Sequence, residues 1–344
     1  MQAKIAYEIA DIPDDFNKLD ATELPYTFPE SLQSELAKQL AQSPINRYPN
    51  PAKSGLQNQL RQVFTILKSA HIALGNGSDE LIQFLTLLVA QPNATVLALN
   101  PSFVMYQHNA ELFGLNFVSV PLNIDFTLNL AAALDAIAQH KPALIFIAYP
   151  NNPTGVPFAR EDVQAIIDVA TGIVVIDEAY GAFSADSFLS QAGQPEHLVV
   201  MRTLSKIGFA GLRLGYAIGS ECVMRELAKI LPPYNMNWLS LTAAKFALQH
   251  YDWIEEHINI LLAERERLSH EISQLVGVTV YPSQANFITV KFPDVDNVFN
   301  QLKKNKILIK KLHGSHPALK QCLRLTIGTP EQNNQMLAII KQTV

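Results

Sequence analysis

A single lysine, Lys206, stands between hydroxyl side chains and an arginine in the segment TLSKIGFAGLRLGY (203–216). The apolar run HLVVM (197–201) just before it is typical of a buried strand, so the lysine is expected where that strand ends. Most lysines lie on solvated surfaces. A lysine amine that has lost its proton can instead attack an aldehyde and hold it as a Schiff base. The segment therefore predicts covalent chemistry at Lys206.

Polar and aromatic side chains also follow the neighbouring apolar runs. GIVVI (172–176) leads into DEAY, ALIFIA (143–148) into YPNNPTG, and ATVLAL (94–99) into NPSFVMY. In open α/β sheets, ligands bind beyond the carboxyl ends of the strands. We therefore expect one sheet edge to collect a carboxylate, a phenol, amides, aromatic rings and an amine. These side chains are Asp177, Tyr180, Asn151, Asn152, Phe103, Tyr106 and Lys206.

Pyridoxal phosphate is the aldehyde whose other groups match this set. Its ring nitrogen acts as an electron sink only when protonated, and a buried carboxylate such as Asp177 would hold that proton. Tyr180 and Asn152 offer hydrogen-bond donors to its phenolate oxygen. Phe103 offers an aromatic face for its ring. The sequence therefore predicts a pyridoxal-phosphate site that includes Lys206.

The phosphate of this cofactor requires oriented N–H groups and a cation. GNGSDELIQFL (75–85) is typical of a glycine-rich turn that opens a helix, with Ser78 as its N-cap and the amides of residues 77–79 as anion donors. Gly208 and Gly211 are expected to bend the chain so that an arginine points back toward the lysine. The side chains expected around the phosphate are Ser78, Asp79, Thr203, Ser205 and Arg213.

Each of these residues, taken alone, also has a purely structural explanation. An aspartate at a strand end commonly caps a turn, NNPTG is a favourable turn sequence, and Phe103 and Tyr106 could be core aromatics. Arg213 could be a surface cation in a salt bridge. Their order along the chain favours the functional interpretation, because every member follows a predicted strand or begins a predicted helix.

The elements that must position these residues alternate between strand and helix from about residue 79 to residue 219. The apolar runs lie at 94–99, 116–120, 143–148, 172–177, 197–201 and 215–219. Helical stretches such as LNLAAALDAIAQH and REDVQAIIDVA separate several of them. This alternation predicts an α/β fold with a mostly parallel sheet covered by helices on both faces.

The pattern changes after the two prolines at 232–233. A long helical pattern, broken once, covers residues 238–275, and the remainder predicts strand–strand–helix–strand–strand–helix, a smaller α+β unit. We therefore expect an N-terminal arm that also contributes to the small domain, a large ligand-binding domain and a small C-terminal domain. Their predicted bounds are residues 1–45, 46–232 and 233–344.

Composition excludes several classes of function. Of the 344 residues, 17% are charged and the net charge is −5, so nucleic acid and acidic membrane surfaces are not expected partners. The two cysteines, Cys222 and Cys322, lie far apart outside any C-x-x-C pattern, which argues against a disulfide framework or a metal site. The N-terminal residues lack the apolar core of a signal peptide, and the longest apolar run, LIQFLTLLVA, is too short to span a bilayer. A cytoplasmic location is expected.

Together the motifs resemble fold-type I, pyridoxal-phosphate-dependent aminotransferases and, within them, the histidinol-phosphate aminotransferase subfamily. The resemblance covers nearly the whole chain, and the motifs occur in the family's order. They are KLDATELPY, INRYPNP, LGNGSDELI, YPNNPTG, VVIDEAY, TLSKIGFAGLRLGY, SQANFITV and CLRLTIGTPEQN. The resemblance implies a large domain with a mostly parallel seven-stranded sheet, a smaller α+β domain and an N-terminal arm.

The resemblance also implies residue roles. Lys206 binds the cofactor and carries the proton between the substrate carbon and the cofactor's C4′, while Arg324 binds the acidic end of an amino-acid substrate. Tyr48 reaches the active site of a neighbouring subunit, which implies a homodimer with shared sites. Tyr26 is a substrate-side aromatic of the arm. The residues implied in cofactor binding are Tyr48, Ser78, Asp79, Phe103, Asn152, Asp177, Tyr180, Thr203, Ser205, Lys206 and Arg213.

Two departures from the family pattern concern the substrate side. The arm motif commonly reads Asn-Glu-Asn-Pro, and here Thr22 and Leu24 replace the asparagines. Lys310 stands where an arginine often helps to bind the substrate phosphate, and a lysine keeps the charge but loses the planar fork. The lysine-to-arginine spacing is also one residue shorter than in many aminotransferases.

The reaction implied is transfer of the amino group of histidinol phosphate to 2-oxoglutarate, giving imidazole-acetol phosphate and glutamate, with Asn152, Tyr26, Lys310 and Arg324 on the substrate side. Two other enzymatic interpretations keep the cofactor: an aromatic amino-acid aminotransferase and a phospho-amino-acid decarboxylase. A non-catalytic phosphate-binding or regulatory protein with the same fold is a further alternative, disfavoured by the presence of Lys206.

Overall fold

The computed structural model describes Pro13 and residues 15–344. The predicted arm lies partly outside these residues. The strands are β1 (Asn17–Leu19), β2 (His71–Asn76), β3 (Thr95–Asn100), β4 (Asn116–Pro121), β5 (Leu144–Ala148), β6 (Ile173–Asp177), β7 (Leu198–Thr203), β8 (Leu214–Gly219), β9 (Thr279–Val280), β10 (Phe287–Lys291), β11 (Ile307–Lys311) and β12 (Cys322–Thr326).

Helices cover both faces of the large sheet, and others belong to the C-terminal part of the chain. They are α1 (Glu30–Ala41), α2 (Leu56–Val63), α3 (Gly77–Leu88), α4 (Met105–Leu112), α5 (Leu130–His140), α6 (Arg160–Val169), α7 (Glu221–Ile230), α8 (Trp238–Gln249), α9 (Tyr251–Ser273), α10 (Val295–Lys304) and α11 (Pro330–Thr343). Within residues 15–344, none of them combines the length and the apolarity needed to cross a membrane.

The large sheet has seven strands in the order β2-β8-β7-β6-β5-β3-β4 within the described residues. β8 runs antiparallel to both of its neighbours, and the other pairs are parallel. The predicted α/β class is confirmed. The sequence pattern does not predict β2, because its sequence HIALGN ends in a glycine-rich segment that is typical of a turn.

The central strands are continuous apolar runs because helices cover both sheet faces. Alternate residues of β5 enter different cores. Ile145 and Ile147 pack in one apolar cluster, and Leu144 and Phe146 pack in another on the opposite face. All of them are fully buried. Because β3, β5, β6 and β7 are parallel, their carboxyl ends meet at one edge of the sheet. The apolar clusters on both faces hold these strands in place.

The small sheet has the order β1-β11-β12-β10-β9 within the described residues. The predicted succession of strands and helices in this unit is confirmed, as is the single break in the preceding helical pattern, at His250 between α8 and α9. β1 pairs parallel with β11, so that Asn17 lies opposite Ile307. This pairing anchors residues 17–19 to the small sheet and leads residues 20–22 toward the edge of the large sheet.

Candidate active site

One cavity at the carboxyl edge of the large sheet brings together most of the predicted cofactor residues. Its lining also includes Tyr106, Ala148, Pro150 and Ala179. The predicted residues that line it are Ser78, Asp79, Phe103, Asn152, Asp177, Tyr180, Thr203, Ser205, Lys206 and Arg213. Residues separated by up to 135 positions thus share one site because parallel strands end together.

Asp177 is the last residue of β6 and is 5% exposed. Its Oδ2 accepts a hydrogen bond from the Tyr106 hydroxyl (2.7 Å), and its Oδ1 accepts one from the Ala179 amide (3.0 Å). Burial raises the pKa of Asp177 to about 6, against the lowering effect of these two bonds. Both donors are neutral, so a cationic N–H placed beside this carboxylate would stabilise its ionised form.

Tyr106 holds the Asp177 carboxylate by a hydrogen bond, a role that the sequence pattern does not predict. Its ring stacks on Phe146 of β5, with centroids 4.6 Å apart, and its side chain is fully buried. Burial and the neighbouring Asp177 raise the pKa of Tyr106 well above its ordinary value, so the phenol stays protonated and donates. The signal in the sequence is the place of Tyr106 in the NPSFVMY segment that follows β3, at the second position of α4.

Lys206 lies in the irregular turn Ser205–Phe209 directly after β7. Its Nζ donates to the Ala21 carbonyl oxygen (3.2 Å) and lies 5.7 Å from the centre of the Tyr180 ring. Gly208 follows with φ +104°, and a Cβ at this position would lie 3.1 Å from a methyl group of Leu24. The turn that presents the lysine therefore requires glycine at this position.

The junction of β2 and α3 forms a cradle under the Arg213 guanidinium. Gly77 has φ +81°, and a Cβ there would lie 2.7 Å from an Arg213 nitrogen. A Cβ on Gly215 would lie 2.5 Å from the Gly77 carbonyl carbon. Arg213 also donates to Asp79 Oδ2 (3.2 Å). The first amides of α3 and a guanidinium thus face the same cavity, which suits an anion.

Two details of this cradle differ from the sequence prediction. α3 begins at Gly77, so the residue preceding it is Asn76 and the prediction of Ser78 as N-cap is wrong. The Asn76 side chain makes no capping hydrogen bond to the helix, and the Glu80 carboxylate accepts from the Asn76 amide (2.7 Å). At Gly211 a Cβ would have no neighbour within 4 Å, so no contact at that position requires glycine.

Hydroxyl groups complete the phosphate side of the cavity. Thr203 and Ser205 are both buried. The Thr203 Oγ1 lies 2.9 Å from Ser205 Oγ and accepts a hydrogen bond from the Ser205 amide (3.1 Å). The two hydroxyls are held in place by the turn before any ligand arrives, which lowers the entropic cost of binding an anion.

A second, larger cavity adjoins the first and shares Phe103, Asn152, Tyr180 and Lys206 with it. Its other walls come from residues 20–22, from β3 and the segment after it (98–107), and from β11, β12 and the loop between them. Arg324 and Lys310 both line it, and they are directly opposite each other in the antiparallel β11–β12 pair. The predicted substrate cations therefore stand side by side next to the lysine.

Arg324 lines the second cavity and contacts Asn152, which lines both cavities. It donates to Asn152 Oδ1 (2.7 Å) and to the Asp20 carbonyl oxygen (2.7 Å). Because Oδ1 accepts from the guanidinium, the Asn152 amide offers its Nδ2 hydrogens to other acceptors. This fixes the donor that Asn152 can present toward the cofactor cavity.

Two predicted residues line neither cavity. Tyr26 is partly buried and packs against the His257 ring, with centroids 4.5 Å apart. Tyr48 is 81% exposed and stacks on Tyr234, with centroids 4.8 Å apart. Tyr48 is therefore placed on the outer surface of a single chain.

The donor set fits pyridoxal phosphate. A lysine amine, a buried carboxylate with neutral donors, an amide that offers its Nδ2 hydrogens, and a guanidinium all line one cavity, and Gly77 lies against the guanidinium. Among the described residues no cluster of three or more His, Cys, Asp or Glu side chains could hold a metal ion. The polar groups of this site therefore match an organic phosphate with a protonated ring nitrogen.

Comparison with known proteins gives a consistent result. The aminotransferase class I and II family model matches residues 15–340. The histidinol-phosphate aminotransferase of Neisseria meningitidis serogroup C / serotype 2a is 59% identical over 345 residues, which cover 99% of this chain and 94% of that protein.

Solved structures share the fold. The histidinol-phosphate aminotransferase of Clostridium acetobutylicum superimposes with a TM-score of 0.86 at 23% identity, over 94% of this chain and 98% of that one. That of Sinorhizobium meliloti in complex with pyridoxal-5'-phosphate gives 0.84 at 22% identity, over 95% and 91%. With a family model over residues 15–340 and a relative 59% identical over 99% of this chain, the chain belongs to the class I and II aminotransferases.

Proposed function

We propose that this chain catalyses the pyridoxal-phosphate-dependent transfer of the amino group of L-histidinol phosphate to 2-oxoglutarate, giving imidazole-acetol phosphate and L-glutamate in histidine biosynthesis. The observation that carries the proposal is the placement of Lys206, Asp177 and Arg213 in one cavity that adjoins the Arg324–Lys310 pair. The name of the Neisseria meningitidis relative supports the choice of substrate.

Residues of the first cavity would hold the cofactor by its opposite ends. Arg213, the first amides of α3 and the hydroxyls of Thr203 and Ser205 bind the phosphate, and Asp177 binds the protonated ring nitrogen. Asn152 and Tyr180 face the phenolate oxygen, and Phe103 packs on the ring. When bound, pyridoxal phosphate supplies an aldehyde for amines and an electron sink for the carbon that loses its proton.

Lys206 is the proton carrier of the reaction. A general base must lie within hydrogen-bond reach of the proton that it takes, and Nζ is the amine shared by both cavities. Its present partner, the Ala21 carbonyl oxygen, is neutral and only accepts, so Nζ can exchange this bond for contact with the substrate. Asp177 contributes by keeping the ring nitrogen protonated throughout.

The Arg324–Lys310 pair is suited to anionic substrates. Lys310 and Arg324 lie opposite each other in the antiparallel β11–β12 pair, so two cationic side chains can face one bound anion. Arg324 can bind two oxygens of either a carboxylate or a phosphate, so it would serve both amino-acid and phosphorylated substrates. Lys310 would add a second cation for the phosphate dianion.

The chain is also proposed to act in the cytoplasm as a homodimer with shared active sites. An exposed apolar patch supports the dimer: Ile45 is 77% exposed, Tyr48 81%, Tyr234 56% and Leu239 47%. The loop before Tyr48 is fixed to α8, since the Trp238 indole donates to the Arg47 carbonyl oxygen (3.1 Å). Residues 1–45, 46–232 and 233–344 remain our proposed domain division.

Replacing Lys206 by Ala tests the reaction class. We expect the Lys206→Ala protein to lose at least about a thousandfold in transamination rate, because among the described residues no other amine lines both cavities. Borohydride reduction followed by peptide mass spectrometry should place the cofactor on Lys206 in the wild type and nowhere in the variant. Lys229→Ala, on an exposed helix face, is the control. A transaminating Lys206→Ala protein would contradict the proposal.

Replacing Asp177 by Asn separates its role in binding from its effect on stability. Because burial raises the folded-state pKa of Asp177 to about 6, above its ordinary value of 3.8, ionisation costs stability as the pH rises between these values. In cofactor-free protein at pH 8 we expect Asp177→Asn to raise the free energy of unfolding by about 1–3 kcal/mol, a gain that disappears toward pH 4. Urea unfolding at several pH values measures it.

The same substitution at Asp186 is the matched control. Burial raises the pKa of Asp186, but hydrogen bonds from Arg160 and Tyr149 outweigh it and hold the pKa below its ordinary value. Asp186→Asn should therefore destabilise the protein at pH 8, and the difference should shrink in acid. Cofactor affinity should fall only for Asp177→Asn. Equal responses at both positions would argue against the proposed role.

Replacing Lys310 by Met tests the substrate side. We expect the half-reaction with histidinol phosphate to require about tenfold more substrate, while the half-reaction with glutamate is unchanged, because only the former carries a phosphate dianion. Lys310→Arg should retain the wild-type preference. Stopped-flow absorbance of the bound cofactor measures both, with phenylalanine and O-phosphothreonine as rival substrates. Faster conversion by either rival would favour the alternative aminotransferase or decarboxylase.

Mixing two inactive variants tests the shared site. If Tyr48 serves the partner's cavity, a dimer of one Lys206→Ala chain and one Tyr48→Ala chain contains one intact site. Equal mixing after reversible dissociation should recover about a quarter of the wild-type activity, since half of the dimers are mixed and half of their sites are intact. No recovery, with dimers present by sedimentation, would place Tyr48 outside the partner's site.

A further inference from the structure

The loop between β11 and β12 forms part of the wall of the second cavity. Its sequence is LHGSHPALKQ (312–321), and Leu312, Ser315, His316 and Leu319 line the cavity. Leu312 and Leu319 are 4% and 2% exposed and pack in one apolar cluster. Because a buried leucine anchors the loop on each side of His316, the position of this ring is set before a substrate binds.

The His316 ring has a defined tautomer. Its Nδ1 accepts a hydrogen bond from the Ala318 amide (3.2 Å), within the short helix Pro317–Leu319 that His316 precedes. A backbone amide only donates, so Nδ1 carries no hydrogen and the hydrogen of the neutral ring is on Nε2. Burial lowers the pKa of His316, and the bond to Nδ1 favours the same neutral form. The ring is therefore a neutral donor through Nε2.

The polar side chains next to His316 direct their hydrogens elsewhere. The Ser315 hydroxyl has a single hydrogen, which it donates to the Leu312 carbonyl oxygen (2.6 Å). The Lys311 ammonium donates to the Asp296 carboxylate of α10. Ser315 and His316 are the two polar side chains that the loop contributes to the cavity. Of these two, His316 is the one that can donate to a ligand.

The walls of the second cavity differ in polarity. The small sheet contributes Lys310 of β11 and Arg324 of β12, whereas Phe103 and Phe117 lie on the side of the large sheet. A phosphate group is expected at the cationic wall and an aromatic ring at the apolar one. His316 belongs to the cationic wall, because its loop joins the strands that carry the two cations.

We propose that His316 is a specificity-determining residue whose Nε2–H donates to the phosphate group of histidinol phosphate, beside Lys310. The proposal rests on the proposed function and adds a neutral, directional donor to its two cations. The Lys310 ammonium acts as a point charge, whereas an imidazole N–H fixes the direction of the oxygen that it binds. Glutamate carries no phosphate, so His316 favours the phosphorylated substrate alone.

Two substitutions separate this contact from the role of His316 within its loop. His316→Asn keeps an acceptor for the Ala318 amide, since asparagine is favourable at a helix start, but it lacks Nε2–H. His316→Gln places an amide N–H near the position of Nε2. We expect His316→Asn to require about tenfold more histidinol phosphate in its half-reaction at an unchanged maximal rate, and His316→Gln to stay within about threefold of the wild type.

His313→Asn is the matched control. His313 lies in the same loop, its Nδ1 also accepts from a backbone amide, that of Gln321 (3.0 Å), and it is not part of the cavity wall. This variant should bind histidinol phosphate like the wild type. Histidinol, which has the same ring and amino group without the phosphate, should bind equally to all four proteins. Calorimetry on borohydride-reduced holoenzyme, in which the reaction cannot proceed, measures these dissociation constants.

A loss that is specific to histidinol phosphate in His316→Asn and is restored in His316→Gln supports the proposal. Four results overturn it: an unchanged His316→Asn protein, an equal loss for histidinol, an equal loss in His313→Asn, or a His316→Gln protein as weak as His316→Asn. The wild type tests the proposed function separately. Faster conversion of phenylalanine or O-phosphothreonine than of histidinol phosphate overturns that function, whereas a retained preference with an unchanged His316→Asn protein overturns the role of His316 alone.

Discussion

A carboxylate buried at the end of a central strand is the constraint on which the site depends. Asp177 is 5% exposed, and burial raises its pKa to about 6 although Tyr106 and Ala179 both donate to it. The fold therefore carries an ionisable group in a position that favours its neutral form. A cationic ring nitrogen bound there reverses the preference, so cofactor binding relieves a cost that the empty fold bears. Binding energy of this kind adds directly to the stability of the folded state.

The β7–β8 connection gathers the other two requirements of the cofactor in a short segment. Lys206 lies just after β7, and Arg213 just before β8, with Gly208 between them at φ +104°. Arg213 itself has φ +48°, which turns its guanidinium back over Gly77 and the first turn of α3. Because one turn presents both the amine and the cation, the distance between the covalent and the ionic contact is set locally. The strand pairing of β2 with β8 then supplies the amides that complete the anion site.

Strand ends and their order could be predicted from the sequence, because apolar runs and turn residues are local signals. The six strands β3–β8 and the strand–helix order of the small unit follow from such signals. β2 did not, since HIALGN is short and merges into a glycine-rich turn. Contacts between distant segments were also beyond local pattern. The bond between Tyr106 and Asp177, and the bond between Thr22 and Tyr180, depend on how α4 and the arm pack against the sheet edge, which no spacing encodes.

The arm joins the small sheet to the chemistry of the large one. β1 pairs with β11, the Thr22 amide bonds to Thr326, and the next contacts of the segment are with Arg324, Lys206 and Tyr180. The carbonyl oxygens of Asp20 and Ala21 are thus neutral acceptors for two cations that an anionic amino-group donor would use. A substrate carboxylate or phosphate replaces an acceptor without net charge by an anionic one, which binds a cationic donor more strongly. The exchange favours the substrate over the arm at these two cations, so the carbonyl oxygens of residues 20 and 21 hold Arg324 and Lys206 in place without competing strongly with an anion.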